Sequence, residues 1–328
     1  MEIAERLGTR RIAIIGNPNV GKSSIFNQLT GLNQKIGNYP GMTVDKMVGY
    51  FHKGEQRFEL IDLPGTYSLL PKSEDEVIAH KVLNGQGEAK PDAALVILDA
   101  CNLERSLLLG TQVMDLGIPI AFVINMKDLA EKRGLSIKTF ALYKAFGVPL
   151  VMTDARNNEG LEEVKSLFTE DKFVVGKTFH TPDSPELLEE VQEKFGFSQP
   201  YQAFQQLVFS SFDPTLANDK KIWLEEKAKA FHFDPEEQQS KETTERYKKI
   251  DTLLEKSVLS GVNKPKEFHS KLDAIFLHPV WGYLTFLGIM LLIFQAIFAW
   301  AEAPMDLIDG TFAFLSSWVM ETLPPGVF

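Results

Sequence analysis

The sequence predicts an α/β fold with a mostly parallel sheet, followed by a small all-helical domain and one membrane-spanning helix. Three observations support this prediction. Short apolar runs alternate with amphipathic stretches from Arg11 to about Phe168, which is typical of parallel strands covered by helices. The β-branched runs then disappear from Thr181 to Val262, where apolar residues recur at helical spacing. Finally, Pro279 to Ala301 contains no Asp, Glu, Lys or Arg.

Composition limits the classes of function. The chain has 328 residues, enough for about two domains. Lys and Arg number 34 against 44 Asp and Glu, so the formal net charge is −10. This acidic balance argues against non-specific binding to nucleic acid, which requires a basic surface. A single cysteine, Cys101, excludes an internal disulfide framework and a CxxC zinc site.

The elements follow from the pattern in chain order. Val- and Ile-rich runs predict buried strands at 12–15, 58–61, 94–98, 120–124 and 148–152. Apolar spacing predicts helices at 104–116, 161–168, 185–191 and 243–254. Because ligands of open α/β sheets bind at the carboxyl ends of strands, the loops that follow each run are the candidate site.

The loop after the first run is a phosphate-binding loop. It matches GxxxxGK[ST], follows a strand and opens a helical stretch, which is the context the motif requires. Glycines let the backbone approach phosphate, and the start of the helix adds partial positive charge. Lys22 is predicted to reach the β and γ phosphates, and the Ser23 hydroxyl to bind Mg²⁺. The predicted nucleotide contacts here are Gly16, Asn17, Pro18, Asn19, Val20, Gly21, Lys22, Ser23 and Ser24.

A DxxG tetrapeptide closes the second predicted strand. Its first residue, Asp62, is predicted to hold Mg²⁺ through water, and the N–H of Gly65 to sense the γ-phosphate. The tetrapeptide alone is common, but its position at a strand end about 40 residues after a phosphate loop makes it specific.

An NxxD motif ends the fourth predicted strand. The Asp128 carboxylate can accept two hydrogen bonds from the guanine N1 and N2 edge, whereas adenine has no matching donors. Asn125 opens the motif, and Met126 stands where Lys is common. After the fifth strand, GTPases usually carry Ser-Ala. Here the loop reads Thr153-Asp154-Ala155, and the N–H of Ala155 is predicted to contact the guanine O6.

The four loops, in this order and each after a strand, predict a P-loop GTPase domain of the Ras-like type that converts GTP to GDP and phosphate. The predicted domains are a GTP-binding domain at 1–172, a helical domain at 173–262, a juxtamembrane linker at 263–278, a transmembrane helix at 279–301, and a truncated periplasmic or interfacial tail at 302–328. A helix over 279–301 would be about 34 Å long, sufficient to cross a hydrocarbon core of about 30 Å.

Five segments together resemble the ferrous iron transport protein B family of bacteria. They are the Asn-Pro-Asn of the phosphate loop, Gly-Asn-Tyr-Pro-Gly-Met-Thr-Val at 37–44, Asp-Leu-Pro-Gly-Thr-Tyr-Ser-Leu at 62–69, Asp-Ala-Cys-Asn-Leu-Glu-Arg-Ser-Leu at 99–107, and Glu-Arg-Tyr at 245–247. His278-Pro279 at the start of the apolar span resembles the family as well. The resemblance runs through the whole chain and is strongest in its first 130 residues.

The resemblance implies further site residues. Thr43 would ligate Mg²⁺ from a mobile loop once GTP is bound, with Gly41 and Met42 beside it at the nucleotide. Asn19 would help to hold K⁺ near the phosphates, together with backbone carbonyls near Gly37 and Tyr39. The implied catalytic residues are Asn19, Lys22, Thr43 and Gly65.

The residue after DxxG bears on catalysis. Ras-like GTPases carry a water-orienting glutamine there, and this chain carries Thr66. No arginine finger is evident in the sequence. A K⁺ ion between the phosphates could supply the charge that such an arginine brings. The resemblance therefore implies potassium-stimulated hydrolysis, and a helical domain that restrains GDP release.

The resemblance also implies a location and a transported substrate. Lys264, Lys266 and Lys271 precede the apolar span and no Lys or Arg follows it, so the positive-inside rule places the amino-terminal domains in the cytosol. The family implies Fe²⁺ uptake across the bacterial cytoplasmic (inner) membrane, gated by nucleotide state, with a small cytosolic accessory protein and oligomerisation as further expectations. No Fe²⁺ site is evident, because the histidines show no HxxH or HxxxH spacing.

Two other functions are compatible with a GTPase domain. A single-span, membrane-tethered signalling GTPase would act on a protein partner without transport, and the motifs do not separate it from a transporter. A ribosome-assembly GTPase is disfavoured by the net charge of −10 and by the apolar span.

Overall fold

The computed structural model describes residues 9–31, 34–39, 45–53, 56–70, 74–86, 89–210, 216–260, 276 and 278–322. It forms two compact units, residues 1–262 and 263–328. Three predicted site residues, Gly41, Met42 and Thr43, lie outside the described residues, as does nearly all of the predicted linker at 263–278.

The described residues of the first unit form a seven-stranded sheet in the order β2-β3-β4-β1-β5-β6-β8. Its strands are β1 (Thr9–Gly16), β2 (Gln34–Asn38), β3 (Asp45–Lys53), β4 (Gln56–Asp62), β5 (Ala93–Asp99), β6 (Ile120–Asn125) and β8 (Leu150–Met152). From β4 through β8 every pairing is parallel, whereas β3 pairs antiparallel with both β2 and β4. The prediction of a mostly parallel sheet is confirmed. The sequence did not indicate β2 or β3, because β3 contains neither a continuous apolar run nor strict alternation of polar and apolar residues.

Helices cover both faces of this sheet. They are α1 (Lys22–Thr30), α2 (Glu74–Asn84), α3 (Leu103–Asp115), α4 (Lys127–Lys132), α5 (Thr139–Phe146) and α6 (Leu161–Thr169), followed by the helical segment α7 (Pro185–Phe195), α8 (Pro200–Phe209), α9 (Asn218–Ala230) and α10 (Pro235–Ser257). One core cluster includes Phe26 of α1 and Phe168 of α6. The other includes Leu109 of α3, Phe204 of α8 and Ile250 of α10, so the helical segment shares a core with the sheet domain.

A buried ion cluster joins α10 to α3. Arg246 on α10 is fully buried, and its guanidinium donates to Asp115 Oδ2 on α3 and to Glu242 Oε1, both at 2.7 Å. Tyr201 on α8 donates its hydroxyl to Glu242 Oε1 at 3.0 Å. Asp115 also accepts the backbone N–H of Phe179 at 2.7 Å. The cluster therefore ties together the end of α3, the chain entering the helical segment, and two of its helices.

A second link is a two-stranded antiparallel ribbon. β7 (Leu135–Ile137) follows α4, and β9 (Val258–Ser260) continues directly from α10. Both strands are three residues long, too short for a periodicity signal in the sequence. The ribbon returns the end of the helical segment to the sheet domain.

The described part of the second unit contains one long helix, α11 (Trp281–Thr322). Its apolar window Trp281–Phe298 has a mean hydropathy of 1.9, and none of this window is buried. By length and composition, α11 is the one membrane-span candidate among the described residues. The helix does not end near residue 301, where the sequence suggested a boundary between span and tail. It continues through Pro304 to Thr322.

Candidate nucleotide-binding site

A cavity of about 670 Å³ lies at the carboxyl ends of the parallel strands. It brings together the phosphate loop, the DxxG loop, the NxxD loop and the loop after β8. It is lined by Asn17, Pro18, Asn19, Gly21, Lys22, Ser23, Ser24, Gly65, Asn125, Met126, Asp128, Leu129, Asp154, Ala155 and Arg156. Leu129 and Arg156 are lining residues that the motifs did not identify.

The phosphate loop joins the end of β1 to the start of α1 with a tightly constrained backbone. Gly21 has φ of 85°, and a Cβ at this position would lie 2.2 Å from Asn125 Nδ2. A Cβ on Gly16 would lie 2.6 Å from the Ile97 carbonyl oxygen. Asn19 adopts a left-handed φ of 65°. These positions allow the loop to curl over the amino-terminal end of α1, a geometry that favours anions.

The DxxG loop lies directly against the phosphate loop. The N–H of Leu63 donates to the Ile14 carbonyl at 3.0 Å, and that of Thr66 donates to the Gly16 carbonyl at 3.2 Å. A Cβ on Gly65 would lie 3.1 Å from the Pro18 backbone. Backbone pairing, and not side chains, therefore sets the distance between the two loops.

Lys22 and Asp62 form an ion pair in the floor of the site. Burial raises the pKa of Asp62 from its ordinary 3.8, and the neighbouring Lys22 ammonium opposes this shift. The Ser23 hydroxyl is exposed in the cavity. A carboxylate and a hydroxyl are oxygen ligands of the kind that Mg²⁺ prefers, so the donor set fits this ion.

Thr66 cannot replace a water-orienting glutamine. Its side chain is almost fully buried, and its hydroxyl bonds the Ser68 carbonyl at 2.7 Å and lies 3.2 Å from Glu76 Oε1. The hydroxyl therefore stabilises the DxxG loop internally. This geometry fits the expectation that the residue after DxxG does not position water.

Asn125 holds three loops together. Its Nδ2 donates to the Val20 carbonyl at 2.9 Å, and its Oδ1 accepts from Thr153 Oγ1 at 3.1 Å and from the Ala155 N–H at 3.0 Å. Asn125 is buried at the end of β6. It thereby fixes the loop after β8 relative to the phosphate loop.

The loop after β8 forms hydrogen bonds within the protein through the groups that the sequence predicted for the base. The Ala155 N–H, predicted to contact the guanine O6, is bonded to Asn125, so a base contact there would have to share this donor. The Asp154 carboxylate turns back into its own loop, where it accepts the Arg156 N–H at 3.0 Å and Asn157 Nδ2 at 2.6 Å. Burial alone would raise the pKa of Asp154, but these hydrogen bonds outweigh it and lower the pKa below 3.8. Asp154 is therefore a loop-stabilising residue here.

The NxxD loop presents Met126 and Asp128 to the cavity. Met126 has a left-handed φ of 66° and precedes the first turn of α4. Asp128 lies in that turn, with Lys132 Nζ at 3.1 Å from its carboxylate. The sequence-predicted base-recognition residues thus lie on one wall of the cavity.

Of the three residues that the resemblance implies as potassium ligands, one lies at the nucleotide cavity. Asn19 lines the cavity, whereas Gly37 and Tyr39 are absent from its described lining residues. Gly37 lies in β2, opposite Lys46 of β3. Tyr39 is buried, with its hydroxyl 3.4 Å from the Asp62 carbonyl oxygen.

A polar network connects the DxxG loop to the helical segment. Gln112 on α3 accepts the Leu69 N–H at 2.8 Å and the Ser68 hydroxyl at 3.0 Å. Gln205 on α8 donates to the Leu69 carbonyl at 3.3 Å, and Asn84 at the end of α2 donates to Gln205 Oε1 at 3.2 Å. No sequence motif indicates these contacts, since the partners are separated by more than 40 residues.

Comparison with known proteins gives a consistent result. A family model described as "Ferrous iron transport protein B" matches residues 10–168. An Fe(2+) transporter FeoB of Leptospira interrogans is 34% identical over 97% of this chain, and an Fe(2+) transport protein A/Fe(2+) transporter FeoB fusion protein of Porphyromonas gingivalis is 32% identical over 97%. The matches cover 47% and 40% of those two proteins, so the chain spans about half the length of its curated relatives or less.

Solved structures agree with the fold. The cytosolic domain of L. pneumophila FeoB is 31% identical with a TM-score of 0.64, and the match covers 76% of this chain and 99% of that one. The cytosolic domain of the T. maritima FeoB iron transporter in a GMPPNP form is 28% identical with a TM-score of 0.59, over 76% and 99% of the two chains. An S. thermophilus NFeoB mutant bound to GDP is 30% identical with a TM-score of 0.58, over 76% and 100%.

Proposed function

Because the chain belongs to the ferrous iron transport protein B family, with its P-loop GTPase fold, we propose that it binds and hydrolyses GTP as the cytosolic part of an Fe²⁺ uptake transporter in the bacterial inner membrane. The observation that supports this most directly is the single cavity that joins the phosphate, DxxG and NxxD loops. Relatives of this fold have been solved with GDP and in a GMPPNP form. Iron transport itself is proposed for the longer protein of which the curated relatives are examples.

Phosphate binding is proposed for the loop from Gly16 to Ser24. Its backbone N–H groups and the start of α1 would hold the β and γ phosphates. Lys22 would turn from Asp62 to the phosphates, which frees the Asp62 carboxylate for Mg²⁺-bound water. Ser23 would ligate Mg²⁺ directly, with Thr43 as a further ligand. The ion would neutralise phosphate charge that develops as the bond breaks.

Guanine recognition is proposed for Asp128. Two hydrogen bonds from the guanine edge to a carboxylate, at about 1.5–3 kcal/mol each, are enough to select GTP over ATP. In purified protein we expect Asp128→Ala to lower GDP affinity more than tenfold and to reduce discrimination against ADP. Undiminished selectivity in Asp128→Ala would contradict this assignment.

Potassium stimulation is proposed for Asn19. Thr66 is buried, so the residue after DxxG does not orient water, and K⁺ could provide the charge of an arginine finger. We expect faster GTP hydrolysis in KCl than in NaCl, and loss of that difference in Asn19→Ala. Asn218→Ala, an exposed asparagine on α9, is the matched control. Equal rates in both salts for the unmodified protein would refute the potassium site.

Restraint of GDP release is proposed for the helical segment. Gln205 of the helical segment and Gln112 of α3 both form hydrogen bonds with Leu69, in the loop that follows DxxG. The helical segment is therefore in direct contact with this loop. Gln205→Leu substitutes an apolar side chain of similar size and removes both the donor to the Leu69 carbonyl and the acceptor of Asn84. We expect faster release of a fluorescent GDP analogue from this variant. An unchanged release rate would show that the contact does not restrain GDP.

Gating of Fe²⁺ transport by nucleotide state requires the full-length protein. We expect iron-starved cells to lose uptake of radioactive Fe²⁺ when the gene is deleted, and Lys22→Ala in the full-length gene to fail to restore it. Unchanged uptake in the deletion strain would favour a membrane-tethered signalling GTPase. Association with an accessory protein or with further copies would be tested on the same full-length protein.

A further inference from the structure

A second cavity, of about 450 Å³, lies away from the nucleotide-binding loops. It is an open cleft bordered by the carboxyl end of α2, the end of α7, the first turns of α8 and the start of α9. None of the phosphate, DxxG or NxxD motif residues lines it. The proposed GTPase reaction therefore does not use this cavity.

The cavity contains a buried hydrogen-bond donor without a partner. Gln206 on α8 lines it and is almost fully buried. Its Oε1 accepts from Gln86 Nε2 at 3.2 Å, but its Nε2 bonds to nothing in the part of the chain that the structure describes. A buried amide donor left unpaired is destabilising, and a ligand acceptor atom would relieve this cost.

Two lysines give the cavity positive charge. Lys90 and Lys220 both line it, and no Asp or Glu is among its described lining residues. Lys220 Nζ lies 5.2 Å from the centroid of the Phe195 ring. Lys90 is exposed to solvent, yet desolvation by the surrounding protein lowers its pKa from 10.5, with no carboxylate opposing the shift. An anion would stabilise both ammonium groups.

The remaining wall is aromatic. The rings of Phe195 and Phe197 are stacked, with centroids 5.6 Å apart and an interplanar angle of 10°. Both line the cavity, with Leu216 beside them. Flat apolar groups pack favourably on such rings, and a charged group nearby fixes their orientation.

We propose that this cavity binds a small organic anion, with a phosphate or carboxylate group held by Lys90, Lys220 and the Gln206 amide, and a flat ring against Phe195 and Phe197. The combination of a cationic end and an aromatic wall fits a mononucleotide or a compound of similar chemistry. The ligand would contact both the helix after the DxxG loop and the helical segment. This proposal stands independently of GTP hydrolysis.

The test uses the whole chain in detergent, with the nucleotide-binding cavity saturated by GDP and Mg²⁺. Binding of AMP, adenosine and inorganic phosphate is measured by calorimetry. We expect AMP to bind more tightly than either adenosine or phosphate alone. We expect Lys90→Gln and Lys220→Gln each to weaken AMP binding about tenfold, the loss of one charge-assisted hydrogen bond. Lys229→Gln, an exposed lysine near the end of the same helix as Lys220, is the control and should bind AMP normally.

A second variant tests the buried amide. Gln206→Leu retains the volume and removes both the unpaired donor and the acceptor of Gln86 Nε2, so it should weaken AMP binding while leaving GDP affinity at its original value. Absence of AMP binding, equal binding of AMP and adenosine, or AMP affinity unaffected by both lysine variants would overturn the proposal. Phosphate binding as tight as that of AMP would overturn the contact with the aromatic wall.

Discussion

Asn125 shows how one buried amide can organise a binding site. Its three hydrogen bonds reach the phosphate loop and two residues of the loop after β8. The NxxD motif can be found in the sequence, but it predicts contact with the base and does not indicate that Asn125 holds two loops in position. The geometry adds that Asn125 acts on the nucleotide through the protein loops that it positions.

Replacing Asn125 should therefore affect both stability and binding. Asn125→Ala leaves the Ala155 N–H and the Val20 carbonyl without their partner, at a cost of about 1–3 kcal/mol for each unsatisfied buried group. We expect a lower melting temperature and weaker GDP binding, measured by calorimetry and fluorescence titration. Asp128→Ala is the comparison, because it lines the same cavity and should weaken GDP binding with little change in melting temperature.

Gly21 is a second residue with a steric role. Its φ of 85° is costly for any L side chain, and a Cβ would collide with Asn125 Nδ2. We expect Gly21→Ala to abolish measurable GDP binding. Gly31→Ala, which follows the same helix, carries a similar backbone strain at φ of 61° but no steric clash, so it should retain binding. Normal GDP affinity in Gly21→Ala would show that the loop can rearrange freely.

Asp154 should make the loop after β8 sensitive to acid. Its pKa is lowered in the folded protein, so its contribution to stability is fully present above the unfolded value of about 3.8 and is lost as pH falls through the folded pKa. We expect Asp154→Asn to have a smaller loss of melting temperature on acidification from about pH 5 to pH 3 than the unmodified protein. Parallel pH profiles would contradict this role.

At the scale of elements, the junction of α3 and α10 depends on buried charge. Arg246 neutralises Asp115 and Glu242 away from water. Arg246→Ala leaves two buried carboxylates unpaired, for which a loss of about 3–5 kcal/mol in the free energy of unfolding is typical. Denaturant unfolding measures this change. Arg156→Ala, which removes an arginine from the rim of the nucleotide cavity, should have a much smaller effect on stability.

His180 adds a pH dependence to the same junction. Burial lowers its pKa from 6.5, and the Arg246 guanidinium lowers it further against the opposing carboxylates of Glu242 and Glu245. A histidine kept neutral by folding stabilises the protein above its unfolded pKa and loses that contribution as pH falls from about 6.5 through the folded value. We expect the free energy of unfolding to decrease over this range, and His180→Gln to reduce the decrease.

The elements that sequence could predict are those whose signal is local. Buried parallel strands such as β5 and β6 are continuous apolar runs, and their ends carry the motif residues, so both the sheet core and the phosphate and base loops could be located. β3 could not, because Gly49 interrupts its apolar residues and its ends are polar, so it has neither a continuous apolar run nor strict alternation. The ion cluster could not be predicted from the sequence either, because Asp115 and Arg246 are 131 residues apart.

At the scale of the whole molecule, the helical segment packs against the sheet domain and shares a hydrophobic core with it. The sequence correctly indicated a change to helical character after the sheet domain, but the two stretches share one core and one compact unit. The sequence boundary marks a change in secondary structure. It could not reveal a shared core, because packing between distant helices has no linear pattern.

The two compact units make a specific prediction for truncation. We expect residues 1–262 to remain folded and to bind GDP without detergent, since α11 belongs to the other unit. A chain ending at Ser257 would lose β9 and its pairing with β7, so its melting temperature should be lower. Aggregation of the 1–262 protein, or equal melting temperatures for both truncations, would contradict this account.

The β7–β9 ribbon has a mechanical consequence. The chain leaves the first unit just beyond Ser260, which pairs with Leu135, and Leu135 follows the helix that starts beside Asp128. Tension applied to the chain beyond Ser260 is therefore borne first by three residue pairs. From these pairs the force would pass through β7 to α4, whose first turn carries Asp128 at the wall of the nucleotide cavity. A pull on the chain beyond Ser260 would therefore act on the proposed base-binding loop.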